Sequence, residues 1–146
     1  MMKSRREVLS GLGAGVAILA GAEVALAEEP KTKDIKDACA ACSDTCAKCA
    51  VECLKCYSHC ADHVAMGHKE HLDCMKACLD CAEFCKMCMT ICAKTGPMVM
   101  NACEACAIAC EMCAKACEKF PDDKVIAACA KMCRDCAKSC TSCCKK

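Results

Sequence analysis

The sequence predicts an all-α protein, an antiparallel four-helix bundle with a Cys-lined core. Three observations predict it. Of 146 residues 24 are Cys, and 23 of them recur at alternating spacings of three and four. Breakers at Gly67, Gly96-Pro97 and Pro121 cut the Cys-bearing part into four stretches of helical length. No stretch alternates apolar and polar residues as a half-buried strand would.

The helices are expected over residues 33–65, 68–95, 97–119 and 122–144. Gly just past one helix and Pro at the first position of the next is the usual asymmetry, which sets Pro97 at the head of the third. Asp122, following Phe120-Pro121, is the expected N-cap of the fourth. Connections this short make successive helices antiparallel neighbours.

In the first helix the cysteines are Cys39, Cys42, Cys46, Cys49, Cys53, Cys56 and Cys60. The second carries Cys74, Cys78, Cys81, Cys85, Cys88 and Cys92, and the third Cys103, Cys106, Cys110, Cys113 and Cys117. The fourth carries Cys129, Cys133, Cys136, Cys140 and Cys143. These are unbroken a/d heptads, so each helix turns one thiol stripe inward. Ala, Lys, Glu, Asp and Ser fill the positions between, giving a solvated outer face. Only Cys144 falls off the seam, as a surface thiol.

Composition shows why sulfur has to fill the interior. Aromatics are Phe84, Phe120 and Tyr57 alone, and Trp is absent. A small domain is already poor in buried area, and too few large apolar side chains remain for an ordinary core. The net charge is +1. No basic stripe of the kind nucleic acid requires is present.

Residues 1–27 read as an export signal ahead of a bundle domain over 28–146. Ser4-Arg5-Arg6-Glu7-Val8-Leu9 resembles the twin-arginine motif, Gly11 to Ala22 is weakly apolar, and Ala25-Leu26-Ala27 is a small-x-small cleavage site. The alternative is an uncleaved anchor, but the apolar stretch is short and Gly-rich against the ~20 residues a bilayer needs. Twin-arginine substrates are exported already folded. Folding in a reducing cytoplasm keeps thiols as thiols, which suits a chain that would otherwise scramble its disulfides. The mature chain is then expected in the periplasm or another extracytoplasmic space, with no membrane span.

Several chemistries could use such a seam. Disulfides are the plain reading of a secreted Cys-rich chain, yet a structural framework does not need a thiol at every seam position. Thioredoxin-like redox chemistry needs one activated C-x-x-C beside a βαβ pattern, which is missing. No C-x-x-C is followed by His for covalent haem, and the spacings never give the consecutive steps of a ferredoxin cluster. Metal remains, and charge selects it. A Zn(Cys)₄ site carries −2, so about five or six of them would leave on the order of ten buried negative charges with no cation on the seam. Copper(I) with a bridging thiolate is neutral, is soft, and accepts two or three sulfurs. Residues i, i+3 and i, i+4 stand ~5–6 Å apart at Cβ, so two of them can grip one ion.

Four helices with Cys seams behind a twin-arginine signal resemble the copper storage proteins of methane-oxidising and other bacteria, over the whole mature chain. The resemblance implies a non-enzymatic four-helix bundle that fills its interior with multiple Cu(I) ions per chain. It also implies a homo-oligomer, a tetramer, and a link to copper supply for an enzyme such as methane monooxygenase.

Continuing the heptads past the last cysteines gives His63 and His71, both at the turn between the first two helices, with Met66, His68 and Met75 around them. Family members carry His and Met at one open end, which matches His63, Met66, His71 and Met75 here. Imidazole and thioether hold copper(I) less firmly than thiolate, which suits an entrance. The plainer reading is solvated turn residues with Met as filler. Phe120 and Ile126 fall on the seam at this end, as a dry wall. At the other end Ile35 and Val99 are expected to close the tube. Met98 and Met100, off the seam, are expected in packing or subunit contacts, and His59 has no assigned place. The rival functions are a disulfide-stapled structural bundle, zinc or heavy-metal sequestration, and a thiol redox enzyme.

Overall fold

The computed structural model describes residues 32–145, so the expected signal over 1–27 lies outside the described residues. Four helices follow in order: α1 Thr32–Ala65, α2 Leu72–Ala93, α3 Val99–Cys117 and α4 Lys124–Cys144. One 3-10 turn, Lys69–His71, leads into α2. No strand occurs among the described residues. Each α-helix lies inside or within a residue of its expected segment.

The differences lie at the ends and have local causes. Gly67, at φ +97°, ends α1. Its N–H donates to the Val64 carbonyl at 3.0 Å, while the His68 N–H reaches back to His63 at 2.9 Å. These two bonds form a Schellman closure, which satisfies carbonyls a helix end leaves bare. The chain then winds through its 3-10 turn, so α2 starts at Leu72 rather than at residue 68. α2 closes in the same way, but the left-handed residue is Thr95 at φ +47°, with Gly96 one step later. The Thr95 N–H donates to Cys92 at 3.0 Å and the Gly96 N–H to Ile91 at 3.3 Å. That closure consumes residues up to 96, and one more turn, Val99 N–H to Gly96 carbonyl at 3.2 Å, is needed to reverse the chain. Pro97 therefore lies in the turn and α3 begins at Val99.

The fourth N-cap is Asp123, not Asp122. A turn closed by the Asp123 N–H on the Phe120 carbonyl at 3.2 Å takes up Pro121 and Asp122. The extended backbone a cap requires then falls on Asp123, whose Oδ1 accepts from the N–H groups of Val125 at 3.0 Å and Ile126 at 3.1 Å.

α1 packs against α2 and α4, and α3 packs against the same two helices. The bundle is thus a square, with α1 facing α3 and α2 facing α4 across its diagonals. Of the 23 seam cysteines 22 are 2% exposed or less, and Cys143 is half-buried. Beside them lie Ala50, Ala82, Ala102, Ala114, Ala130 and Ala137, all buried. With only methyl groups flanking the seam, the helices come close enough for sulfurs to meet along the diagonals: Cys42 and Cys103 at 3.8 Å, Cys78 and Cys129 at 3.9 Å. Ile126 is the one fully buried side chain larger than Cys among the described residues. Outside, Arg134 on α4 forks onto Glu118 at 2.7 and 2.8 Å and also pairs with Glu111, tying α4 to α3. Exposed pairs of this kind contribute little, so the fold rests on the seam.

Thr95 offers a direct test of the α2 closure. A left-handed L-residue costs roughly 1–2 kcal/mol, against about 0.4–1 kcal/mol that Gly loses through the unfolded chain. Thr95→Gly should therefore stabilise the apo protein by about 0.5–1 kcal/mol in urea denaturation. A loss of stability would show that the Thr95 hydroxyl bond to Lys94, at 2.8 Å, outweighs the strained backbone.

Candidate metal centre

The four stripes meet as stacked groups of four sulfurs. Cys42, Cys88, Cys103 and Cys140, one from each helix, place all their Sγ atoms within 4.8 Å of one another. So do Cys46, Cys88, Cys106 and Cys140, and further along Cys49, Cys85, Cys110 and Cys136. Cys42, Cys92, Cys103 and Cys143 form such a group towards one end, and Cys49, Cys53, Cys81 and Cys133 form another. Successive groups share members: Cys88 and Cys140 each belong to two. The heptad dictates this sharing, because a sulfur every three or four residues leaves no gap between levels.

A metal–thiolate bond of about 2.3 Å puts three sulfurs around one ion about 4.0 Å apart, and two opposed sulfurs about 4.6 Å apart. The cross-helix distances already match: Cys81 to Cys110 is 3.7 Å, Cys46 to Cys140 3.7 Å, Cys53 to Cys133 3.6 Å and Cys88 to Cys103 3.7 Å. Ions fit among them with small side-chain adjustments. The shortest contact, Cys74 to Cys117 at 3.3 Å, is still far from the ~2.05 Å of a disulfide. All 24 cysteines are free.

The structure separates two spacings that the sequence reading treats alike. Within a helix the sulfurs in contact are i, i+4 pairs, such as Cys49 and Cys53 at 4.0 Å or Cys88 and Cys92 at 3.8 Å. The i, i+3 partners turn towards neighbouring helices instead. Cys39 meets Cys143 at 3.9 Å, while Cys42 meets Cys140 and Cys103 at 3.8 Å. The C-x-x-C pair is not the chelating unit in this arrangement.

Electrostatics explain what this interior lacks. His71 is the one buried polar or charged residue among those described, so no Lys or Arg faces the sulfurs. Burial pushes the Cys60 thiol up to about 12, with the charge of Cys74 adding to it. Burial, and then Cys39 and Cys42, push Cys143 up to about 12 as well. Mid-seam, thiol–thiol hydrogen bonding decides. Hydrogen bonding with Cys110 first, then with Cys133, lowers Cys49, whereas Cys46 is raised by its bonds to Cys106 and Cys136. A few thiolates can be stabilised by neighbouring S–H groups, but all cannot ionise together without added cations.

The histidine end is capped by rings. His63 stacks on His71 with centroids 4.4 Å apart, and His71 stacks on Phe120 at 4.3 Å. His68 meets His63 edge-on at 5.6 Å. Met75 packs against the core, Ile126 is fully buried, and Met66 points outward, 66% exposed. The buried Nδ1 of His71 has no hydrogen-bond partner. A group in that state costs free energy, about 1–3 kcal/mol, unless something binds it.

Two neighbours of this end escaped the sequence reading. His59 touches His63 edge-on at 4.7 Å, and its Nε2 is 2.7 Å from Oδ2 of Asp123. The i, i+4 spacing of His59 and His63 was a usable signal; the pairing with Asp123, 64 residues away, left none. Burial opposes ionisation of Asp123, but His59 and the N–H groups of Ile126 and Val125 outweigh it and hold its pKa below the usual value.

At the far end Val99 packs against the core as expected, but Ile35 is exposed and does not close the tube. It precedes Cys39, the first buried position of α1. Met98 and Met100 are more than half exposed and do not pack inside the chain. Cys144 is half-buried, its thiol directed at the Met100 carbonyl at 3.4 Å.

A family model described as copper storage protein matches residues 21–145. Comparison with curated proteins and with solved structures gives no match.

Replacing S–H protons by metal makes binding depend on pH, with a definite sign. Thiols that burial raises, such as Cys60 and Cys143 near 12, are protonated through neutral pH, so protons compete with the ion. Apparent copper affinity should weaken as pH falls from 8 to 5, and loading in weak buffer should release about one proton per thiolate newly ligated. Competition against a chelator whose own pH dependence is known, together with pH-stat titration, measures both. Loading without proton release would place copper away from the thiols.

Proposed function

Because the chain belongs to the copper storage protein family, we propose that it stores its copper as Cu(I), held by the seam thiolates. The ligands in this reading are the 23 seam cysteines, Cys39 to Cys143, with Cys144 outside the set. The observation that carries it is the buried, shared-sulfur interior with no compensating cation. Divalent tetrathiolate sites would leave net negative charge at every level, whereas Cu(I) bridged by shared thiolates is neutral throughout. Copper here is cargo, and no catalytic step belongs to the reading.

His63, His71, Met75 and Met66 form the entrance. The unpartnered Nδ1 of His71 supports this, as does the confinement of every His in the chain to this one end. Met66, on the outside, takes the outermost place. Residues 1–27 act as a twin-arginine export signal, leaving the bundle in an extracytoplasmic space; the Arg5-Arg6 motif and the need to keep the thiols reduced support it.

The bundle acts as a homo-oligomer, a tetramer by family resemblance. Its support in this chain is the set of large apolar side chains that α3 exposes on its outer face, among Asn101, Glu104 and Lys115. Met100, Ile108 and Met112 are each more than half exposed, beside Phe84 on α2. Exposed apolar side chains gathered in one patch mark an interaction surface.

Anaerobic Cu(I) titration with metal analysis tests the store. If no thiolate bridges, 23 seam cysteines hold about 12 ions, and full bridging raises this to about 23. Neutrality favours the upper part of that range. Saturation at one to four ions would replace a store by a chaperone or structural site. Zinc should reach fewer equivalents and be displaced by Cu(I).

Ile108→Glu should turn the oligomer into smaller species in light scattering while leaving copper capacity unchanged. An unaltered mass would move the interface to another face.

A further inference from the structure

Cys143 and Cys144 are the two cysteines of the chain that are only half-buried, and both stand in the last turn of α4. At the histidine end the outermost sulfurs, Cys60 and Cys74, are at most 1% exposed. The thiols that a solute can touch therefore lie at the end of the bundle away from the histidines.

The residues of that end account for the difference. Its segments, 32–42, 92–103 and 137–145, contain no aromatic or imidazole side chain. Ile35, the seam position beyond Cys39, is exposed. The half-buried thiols are nonetheless continuous with the buried ones. Cys143 shares a four-sulfur group with Cys42, Cys92 and Cys103, and its Sγ lies 3.9 Å from that of Cys39. Its neighbour Cys144 turns to α3 instead, with its thiol 3.4 Å from the Met100 carbonyl, and packs against the column. Cys144 also lines a surface cleft of about 360 Å³ with Met100, Glu104 and Lys145. The column thus ends on a half-buried ligand with a second thiol, outside the storage set, next to it in the chain.

We propose that this end is a second port of the store, where Cu(I) passes between the column and thiol ligands in solution, with Cys143 as the last storage ligand and Cys144 as the exchange thiol. The proposal rests on the Cu(I) store reading and gives a role to the one cysteine that the heptad leaves out. Cu(I) held by two or three sulfurs has room for another, so one thiolate can replace the next by addition followed by loss. On the way out, the Cys144 sulfur forms a bond to an ion on Cys143 and the bond to Cys143 breaks. A thiol from solution then displaces Cys144 in the same way. The proton that each attacking thiol gives up passes to the sulfur it displaces. Copper stays Cu(I) throughout, so no oxidant or reductant is consumed.

Access is tested by anaerobic alkylation of the metal-free protein in its native assembly, with a short pulse of N-ethylmaleimide and peptide mass mapping. Cys143 and Cys144 should be modified before any buried cysteine. Met100 belongs to the patch assigned to subunit contact, so the assembled protein is the sample that decides. A Cys144 that stays unmodified there is covered by a partner subunit and is not an exchange thiol. First modification at Cys60 or Cys74 would move the accessible sulfurs to the histidine end and overturn the port.

Exchange is tested by transfer of Cu(I) from the loaded protein to dithiothreitol. A thiol tethered beside the ion acts at a local concentration in the millimolar range, so with dithiothreitol at about 0.1 mM its loss should slow transfer roughly tenfold. Cys144→Ser is the variant, because a hydroxyl can keep the bond to the Met100 carbonyl but is a poor ligand for so soft an ion. Rates are compared per ion bound at the start. A fully loaded Cys144→Ser protein that exchanges at the wild-type rate removes Cys144 from the path. Wild-type protein that takes up only a few ions brings down the store reading itself, which is a separate outcome.

Discussion

Twenty-two thiols are buried to 2% exposure or less in a column that contains no buried Lys or Arg, and that column must remain electrically neutral. The rest of the molecule follows from this constraint. As S–H groups the sulfurs are small, weakly polar and mutually hydrogen-bonded, so they pack as an ordinary core would. As thiolates they can be present together only if each negative charge is answered by a metal ion. Both states occupy the same space. Ala beside the seam keeps the helices close, and a larger aliphatic residue in its place would pull opposite sulfurs apart. The protein therefore gives up the strong burial of Leu and Phe for an interior in which charge balance decides occupancy. Metal that binds the assembled column better than a disordered chain also stabilises the fold.

Most of this was legible in the sequence, because a cysteine heptad is a periodic signal and periodicity survives errors in detail. Which residues face inward, how many helices there are and which ends meet all follow from spacing and breakers. What escaped depends on contacts between residues far apart or on the fine geometry of a turn. Asp122 and Asp123 are equally good caps by type; a hydrogen bond from Asp123 back to Phe120 decides between them. Gly96 looks like the helix stop, yet the left-handed conformation falls on Thr95. Ile35 continues the heptad perfectly but precedes the first buried position of α1, and periodicity carries no information about where a bundle ends.

The distinction between i, i+3 and i, i+4 pairs matters for how the column is read. On a helical wheel both spacings bring two cysteines to one face, and C-x-x-C attracts attention as a familiar metal-binding signature. In the bundle the i, i+4 sulfurs touch along a helix, while i, i+3 partners make their contacts with other helices, Cys39 with Cys143 and Cys42 with Cys103 and Cys140. A ligand set in this protein is thus assembled mainly between helices. Metal occupancy and tertiary packing become one property, and changes that alter helix spacing alter the sites even when no cysteine is touched.

Sharing of sulfurs between levels has a further consequence for movement. Cys88 and Cys140 each belong to two four-sulfur groups. In the proposed reading, an ion passing from one group to the next exchanges some ligands while retaining others, so it never needs to leave sulfur for water. The helices and Ile126 close the column along its sides, which leaves its ends as the routes. At the histidine end His63, His71 and Phe120 stack, and the buried, unpartnered Nδ1 of His71 costs stability, a cost that an ion bound there in the proposed reading would relieve. A cap built from ligands differs from one built of inert rings. In the proposed reading it keeps water from the thiols when empty, yet gives way to the one class of solute that can bind it. In the proposed reading the same rings serve as seal and as first contact, with deeper sulfur drawing the ion onward.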